Sequence, residues 1–216
     1  MKRILILLLT LTTTFSVWGQ SEKFELEEGD ILFQDLDCGP FCEAIDKVTD
    51  GWEGNDYSHC GLLVKGEDGS WIVLEAVGKG VLATPLQDFF TKKVKDDFIS
   101  IGRLNSEYQP LVPKAIEYAW SLLGKPYDDA FVIGNDKYYC SELIYDAYKS
   151  ANEGDPIFNL NPMTYNDPET GKPFSIWVDY FKALEIEIPE GKPGLNPGGI
   201  SRSPILKMYK VNASSL

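Results

Sequence analysis

Cys140 stands in "DKYYCSELIYDAY", residues 136–148, where a helical apolar pattern begins. A thiol is a nucleophile only as the thiolate, and its unperturbed pKa is about 8.5. The unpaired N–H groups of a helix N-terminus, with the dipole behind them, favour the anion. The same groups can hold a developing oxyanion. An imidazole partner lowers the thiol pKa further and supplies a general acid. The chain has one histidine, so that partner can only be His59. Glu75, in "SWIVLEAVG", interrupts a strand that is otherwise apolar on both faces. A carboxylate there must be paired or hydrogen-bonded. Bonding to one nitrogen of His59 would leave the other for the thiol, the orienting role of a third triad member. Each residue also has a plainer reading: a small buried cysteine, a satisfied strand histidine, a glutamate facing water at a strand end.

Three more cysteines accompany Cys140. Cys38 and Cys42 flank "GPF" in a loop, and a local bridge between them suits an oxidising compartment. The small loop limits the stability such a bridge adds. Pairing of one of them with Cys60 is the alternative. Cys60 follows His59 on a predicted strand, where neighbours face opposite ways. It is therefore read as a core or bridging residue outside the His59 face, and Cys140 as the thiol that stays reduced. Cys38, Cys42, His59 and Cys60 are ligand types that zinc accepts. The three-residue spacing of the first pair and the divergence of the second argue against a metal. Neither metal nor cofactor is expected.

The elements that must position these side chains are legible as patterns. "EEGDILFQD", 27–35, reads as a turn at Gly29-Asp30, with Asp30 making an Asx bond, followed by a strand. Ala44, Ile45 and Val48 predict a helix over 41–51 that ends at Gly51. Residues 57–77 read as an antiparallel hairpin closed by "GEDGS". "GVLATPL" adds a third strand, "QDFF" a short helix and 96–104 a further strand. Ile116, Ala119, Trp120 and Leu123 then fall at helical spacing, with Gly124 at the C′ position and Pro126 preventing continuation. A second helix runs from Cys140 to Ala151. Beyond Asn152 the chain is rich in Pro, Gly and Asn, broken by a predicted helix at 175–184. "PGLNPGGISRSPIL" reads as an ordered loop and a last strand. The fold class is α+β, an antiparallel sheet with helices packed on it.

The 216 residues suit one domain with a sizeable core. "MKRILILLLTLTTTFSVWGQ", residues 1–20, has a basic start and a short apolar run, the form of a secretory signal peptide cleaved near Gly19 or Gln20. The mature domain is then residues 21–216, periplasmic or secreted, with no segment apolar and long enough to span a membrane. The net charge is −13, and removing the leader, with Lys2 and Arg3 and no acid, leaves −15. Such a polyanion is a poor partner for nucleic acid or anionic lipid. A monomer is expected.

The segments "GDILFQ", "DYSHCGLLV", "LEAVG", "TPLQDFF", "LLGKPYD" and "YYCSELIYDAY", in this order between residues 29 and 148, resemble the YiiX-like branch of the NlpC superfamily. These are papain-like cysteine hydrolases of bacterial cell walls, and the branch is circularly permuted. The resemblance is weaker in the tail, where "SRSPIL" is similar to a late Ser-Pro segment. It implies a permuted papain-like fold with a small barrel-like sheet. It implies Cys140 as nucleophile, His59 as base and Glu75 as third member, with the histidine preceding the cysteine. Tyr57, in "YSH", is expected near the pocket. Tyr127, in "GKPYD", and Tyr139, before the nucleophile, are expected to line the cleft. The implied reaction is hydrolysis of an amide bond in a peptide or amino-acid-containing substrate derived from peptidoglycan, through a thioester acyl-enzyme. Acyl transfer or lipid-ester hydrolysis would use the same three residues, and a non-catalytic module binding a wall peptide or amino acid would keep only the fold.

Overall fold

The structure, a computed structural model, describes residues 24–91, 94, 98–212 and 216. The segment read as a leader lies outside the described residues. In chain order the elements are β1 (Ile31–Gln34), α1 (Pro40–Asp46), β2 (His59–Lys65), β3 (Trp71–Val77), β4 (Gly80–Pro85), α2 (Leu86–Phe90), β5 (Phe98–Leu104), α3 (Val112–Ser121), α4 (Cys140–Ala151), β6 (Asn161–Pro162), α5 (Ser175–Ala183), β7 (Pro193–Gly194), α6 (Pro197–Ser201) and β8 (Leu206–Asn212). Six strands form one antiparallel sheet in the order β4-β3-β2-β1-β5-β8, with β4 and β8 at its two ends. β6 and β7 pair separately.

The β2–β3 hairpin follows from its turn chemistry. Gly69 takes φ +80°, Gly66 N–H bonds the Ser70 carbonyl at 2.8 Å, and Asp68 accepts from the Ser70 N–H at 2.9 Å. The turn sets Leu62 opposite Leu74 and Lys65 opposite Trp71. Period-two alternation then sends Cys60, Leu62, Val64, Leu74 and Ala76 into one core with α3 and α4. Leu63 and Val73 enter a second core with Leu32, Ile99, Ile101 and Phe89 of α2. Burial on both faces explains why these strands are apolar nearly throughout. α4 spans the residues its pattern predicts, and only Asp146, Lys149 and Ser150 of its twelve escape full burial.

Two local expectations change. α1 stops at Asp46 rather than Gly51 because the Thr49 hydroxyl bonds back to the Ile45 carbonyl at 2.8 Å and Gly51 is extended. Asp30 makes no forward Asx bond. Its carboxylate accepts from the Glu27 N–H at 2.9 Å and from Arg103 at 2.7 and 2.8 Å, a two-pronged pair that ties β1 to β5.

Candidate active site

His59 opens β2 and Glu75 lies on the same face of the hairpin, on β3. His59 Nε2 and Glu75 Oε2 are 2.5 Å apart. The other carboxylate oxygen accepts the Thr84 hydroxyl of β4 at 2.7 Å. Glu75 is 1 % exposed, so these two partners replace the water it has lost. Gly61 makes the approach of β3 feasible: a Cβ there would lie 2.4 Å from Val73 Cγ1 and 3.4 Å from Glu75 Cβ. Because Nε2 is engaged, Nδ1 is the ring nitrogen left for a further partner. Cys140, the first residue of α4, borders the same cavity as His59. The structure thus brings Cys140, His59 and Glu75 together.

A fourth side chain belongs to this group. Alternation separates Cys60 from His59, as the sequence implies: His59 packs on Phe89, whereas Cys60 points into the core beneath α4. The start of α4 lies on that second side, above Cys60, while His59, at the first position of β2, borders the cavity that Cys140 also borders. Cys60 is thus the core residue expected of it, outside the His59 face, and it also lies near the Cys140 thiol. The Ser141 hydroxyl lies 3.7 Å from Cys140 Sγ and 3.9 Å from Cys60 Sγ. The neighbouring Cys60 thiol and the His59 imidazole hold the Cys140 thiol well below the ordinary value, against the opposing effect of burial. Burial first, and then contact with Cys140, pushes the Cys60 thiol well up.

Residues 25–209 match the profile of a family described as permuted papain-like amidases, the YaeF/YiiX, C92 family. The chain belongs to this family. It is 34% identical over 152 residues to the uncharacterized protein YiiX of Escherichia coli K12, covering 69% of this chain and 67% of that one. It is also similar to a crystal structure described as that of the metalloprotein YiiX from Escherichia coli O157:H7. That match has a TM-score of 0.68 and 26% identity and covers 86% of this chain and 97% of the other.

The segment entering α4 is tied down on both sides, which holds Cys140 in one position. Val81 N–H bonds the Lys125 carbonyl at 2.9 Å, and Tyr138 N–H bonds the Pro126 carbonyl at 3.0 Å. Gly80 is needed at this crossing, because at φ +103° a Cβ would sit 2.4 Å from the Lys125 carbonyl oxygen. Asp128, fully buried, gathers the following loop by accepting from the N–H groups of Ala130 at 3.1 Å and Val132 at 2.6 Å and from Asn135 Nδ2 at 3.0 Å. Phe131 takes φ +54° inside that loop and stacks edgewise on Tyr139. Glu142, in the first turn of α4, accepts from Gly134 N–H at 2.9 Å through Oε1, while its other carboxylate oxygen is buried and has no hydrogen-bond partner among the described residues. Burial raises its carboxyl from 4.5 to about 8.

Cys140 and His59 border a cavity of about 260 Å³. Tyr127 and Tyr139 line it, as expected of them. Tyr57 does not. Its ring packs against Phe33, its hydroxyl bonds Ser100 Oγ at 2.7 Å, and it borders a separate polar pocket. Its "YSH" position places it at the foot of β2 rather than at the cavity. Cys38 and Cys42 form a disulfide at the start of α1 and also line the cavity. Residues 161–165 and 195–197 close the far side. These segments carry no helix or strand period, so nothing in their sequence announces them as cavity walls.

Proposed function

We propose that this family member is an exported cysteine amidase that cleaves an amide bond in a peptide-type substrate through Cys140, His59 and Glu75. The observation that carries the reading is the His59 ring, bonded to the Glu75 carboxylate through Nε2 and bordering one cavity with Cys140. Cys140 as thiolate attacks the carbonyl carbon, and the oxyanion forms beside the N–H groups of the first turn of α4. The C–N bond breaks as His59 gives its proton to the departing amine, leaving a thioester on Cys140. Water then attacks the thioester, His59 takes its proton, and the acid leaves with the thiolate restored. Glu75, held by Thr84, keeps the ring oriented and offsets its charge. Export is supported by the form of residues 1–20 and by the Cys38–Cys42 disulfide.

The YiiX relative described as a metalloprotein raises the question of a metal here. Among the described residues, Asp35, Asp46 and Asp56 are the one set of three such ligand atoms within 4.8 Å of one another. Three carboxylates suit a hard cation, which takes six to eight oxygens. Lys210 lines the same pocket as Asp35 and Asp56, and Cys38 and Cys42 are consumed by their disulfide. These residues do not complete a centre at the reacting atoms, and no step runs through a metal.

A peptidoglycan-derived peptide is the substrate the resemblance suggests. Purified mature protein and its Cys140→Ala variant should be incubated with defined wall peptides, with fluorogenic amides and with lipid esters. Amide cleavage by the wild type and a loss of at least about 10³-fold in the variant are expected. Consumption of the ester alone would replace the amidase by an esterase on the same three residues, and unaltered turnover by the variant would remove Cys140 from the chemistry.

A further inference from the structure

Gln34 is a buried polar side chain that takes no part in the steps at Cys140. It ends β1 and is 4 % exposed. Its Nε2 donates to the Phe89 carbonyl of α2 at 3.2 Å. A carbonyl oxygen only accepts, so this bond fixes which end of the amide is nitrogen and turns the oxygen away from Phe89. Among the described residues that oxygen, Oε1, has no hydrogen-bond partner. A buried acceptor left without a partner costs stability, so its presence calls for a reason.

The strand register supplies one. Gln34 lies directly opposite His59 in the β1–β2 ladder. Residues paired in this way share one face, with Cβ atoms about 4.5–5.5 Å apart. Both side chains also meet Phe89: the amide through the Phe89 carbonyl, the imidazole ring to ring at 5.8 Å between centroids. The backbone closes the same corner. Ser58 N–H bonds the Gln34 carbonyl at 3.1 Å, and Leu36 N–H bonds Ser58 Oγ at 2.9 Å. The end of β1 thus holds the residue before His59 and presents an amide on the face of the ring. Gln34 does not line the cavity, so it acts on the reaction through His59 and not on substrate.

The charge on the ring changes during turnover, because His59 takes and gives a proton. The titratable groups near it are Glu75 of β3 and Cys140 of α4, with Cys60 on the opposite face of β2. β1 and α2 present Gln34 and Phe89, which do not titrate. Nε2 is engaged by Glu75 and Nδ1 is left for the thiol, so the Gln34 oxygen is not a third N–H partner. It acts through the negative end of its dipole, which favours the ring with two protons over the ring with one. An acceptor that is idle beside a neutral ring and useful beside a charged one stabilises the charged step selectively.

We infer that Gln34 is a positioning residue that fixes His59 and stabilises its protonated form through the buried amide oxygen. This role rests on the amidase reading and adds to it a residue outside the cavity.

The single histidine makes the test direct, because its ring protons give one set of NMR signals. Their titration is followed in Cys140→Ala, which leaves Glu75 as the titrating neighbour on that face, and in the same chain carrying Gln34→Met or Gln34→Glu. Methionine removes both ends of the amide at similar length. Glutamate loses the donor to Phe89 and keeps a carbonyl oxygen, ionised or not. The imidazole midpoint is expected to fall by about 0.5–1 pH unit in the Met chain and to stay at the parent value or rise in the Glu chain. With Cys140 present, Gln34→Met is expected to lower kcat on a fluorogenic amide about three- to tenfold with KM little changed. Equal midpoints in the parent and the Met chain would overturn the assignment. A fall in both variants would place the effect in the bond to Phe89 and overturn it as well. Should Gln34→Met lose its cooperative thermal transition, Gln34→Glu decides alone: a held or raised midpoint supports the role, and a fall overturns it. The expected midpoints in a protein that hydrolyses no amide would remove the amidase reading and keep the action of Gln34 on His59. An unmoved midpoint in an active amidase would do the reverse.

Discussion

At the scale of single residues, the unusual feature is a thiol stabilised by another thiol. Cys60, His59 and the Ser141 hydroxyl all lower the Cys140 thiol, while burial works against them. Cys60 can play this part only because its own pKa is raised, which keeps its proton in place at pH values where Cys140 has lost its own. Cys60 is a positioning residue: it acts on the nucleophile and not on substrate. Cys60→Ala is expected to move the midpoint of Cys140 alkylation to higher pH, and Cys60→Ser, which restores a donor, to recover part of the shift. The acid limb of the activity profile should move with the alkylation midpoint. An unchanged midpoint in Cys60→Ala would reduce Cys60 to packing.

At the scale of elements, the site depends on how closely β2 and β3 approach. Gly61 sits opposite Glu75, and the missing side chain lets Val73 and Glu75 occupy that space. Gly61→Ala adds a methyl against a fully buried Val73 and is expected to cost about 1–3 kcal/mol of stability. Val73→Ala in that background should recover part of the loss, read by thermal unfolding; additive losses would show that the two do not meet. The hairpin itself, α4 and its start at Cys140 are readable from period and turn residues, because each is decided by neighbours in sequence. Glu75 is readable as a carboxylate that needs a partner, and His59 as the lone imidazole. Thr84 and Asp128 are not readable: their hydrogen bonds depend on which strand or loop lies beside them, and neither breaks a local pattern. Cys60 shows the limit of alternation, which tells the face a side chain takes and not what packs on that face. Tyr57 shows that adjacency to a site residue in sequence need not carry a side chain into the cavity.

At the scale of the whole molecule, the chain carries 33 acidic against 20 basic residues. One of the acids, Glu142, titrates near neutral pH. It is buried at the helix start, with Asp128 and Asp146 facing it, and its carboxyl rises to about 8. Folding favours its protonated form, so between pH 4.5 and about 8 the folded chain keeps a proton that the unfolded chain has released. The slope of unfolding free energy against pH from this group is therefore negative. Its contribution is most favourable below 4.5, declines as pH rises through the window, and levels off above about 8. Asp146, raised by burial, adds to the same trend at its acidic end. Cys140 works in the opposite sense, because a thiol held below its ordinary pKa stabilises the fold as pH rises. Denaturant unfolding from pH 5 to 9 in a Cys140→Ala background removes that opposing effect. There, Glu142→Gln keeps an acceptor for Gly134 N–H and carries no titrating proton. The Gln chain is expected to gain stability over its parent steadily between pH 5 and 8 and to hold a constant advantage above. A parallel pair of curves would mean that Glu142 is already ionised in the folded protein, and that the charge at the head of α4 is borne beside the thiolate instead of being kept away from it.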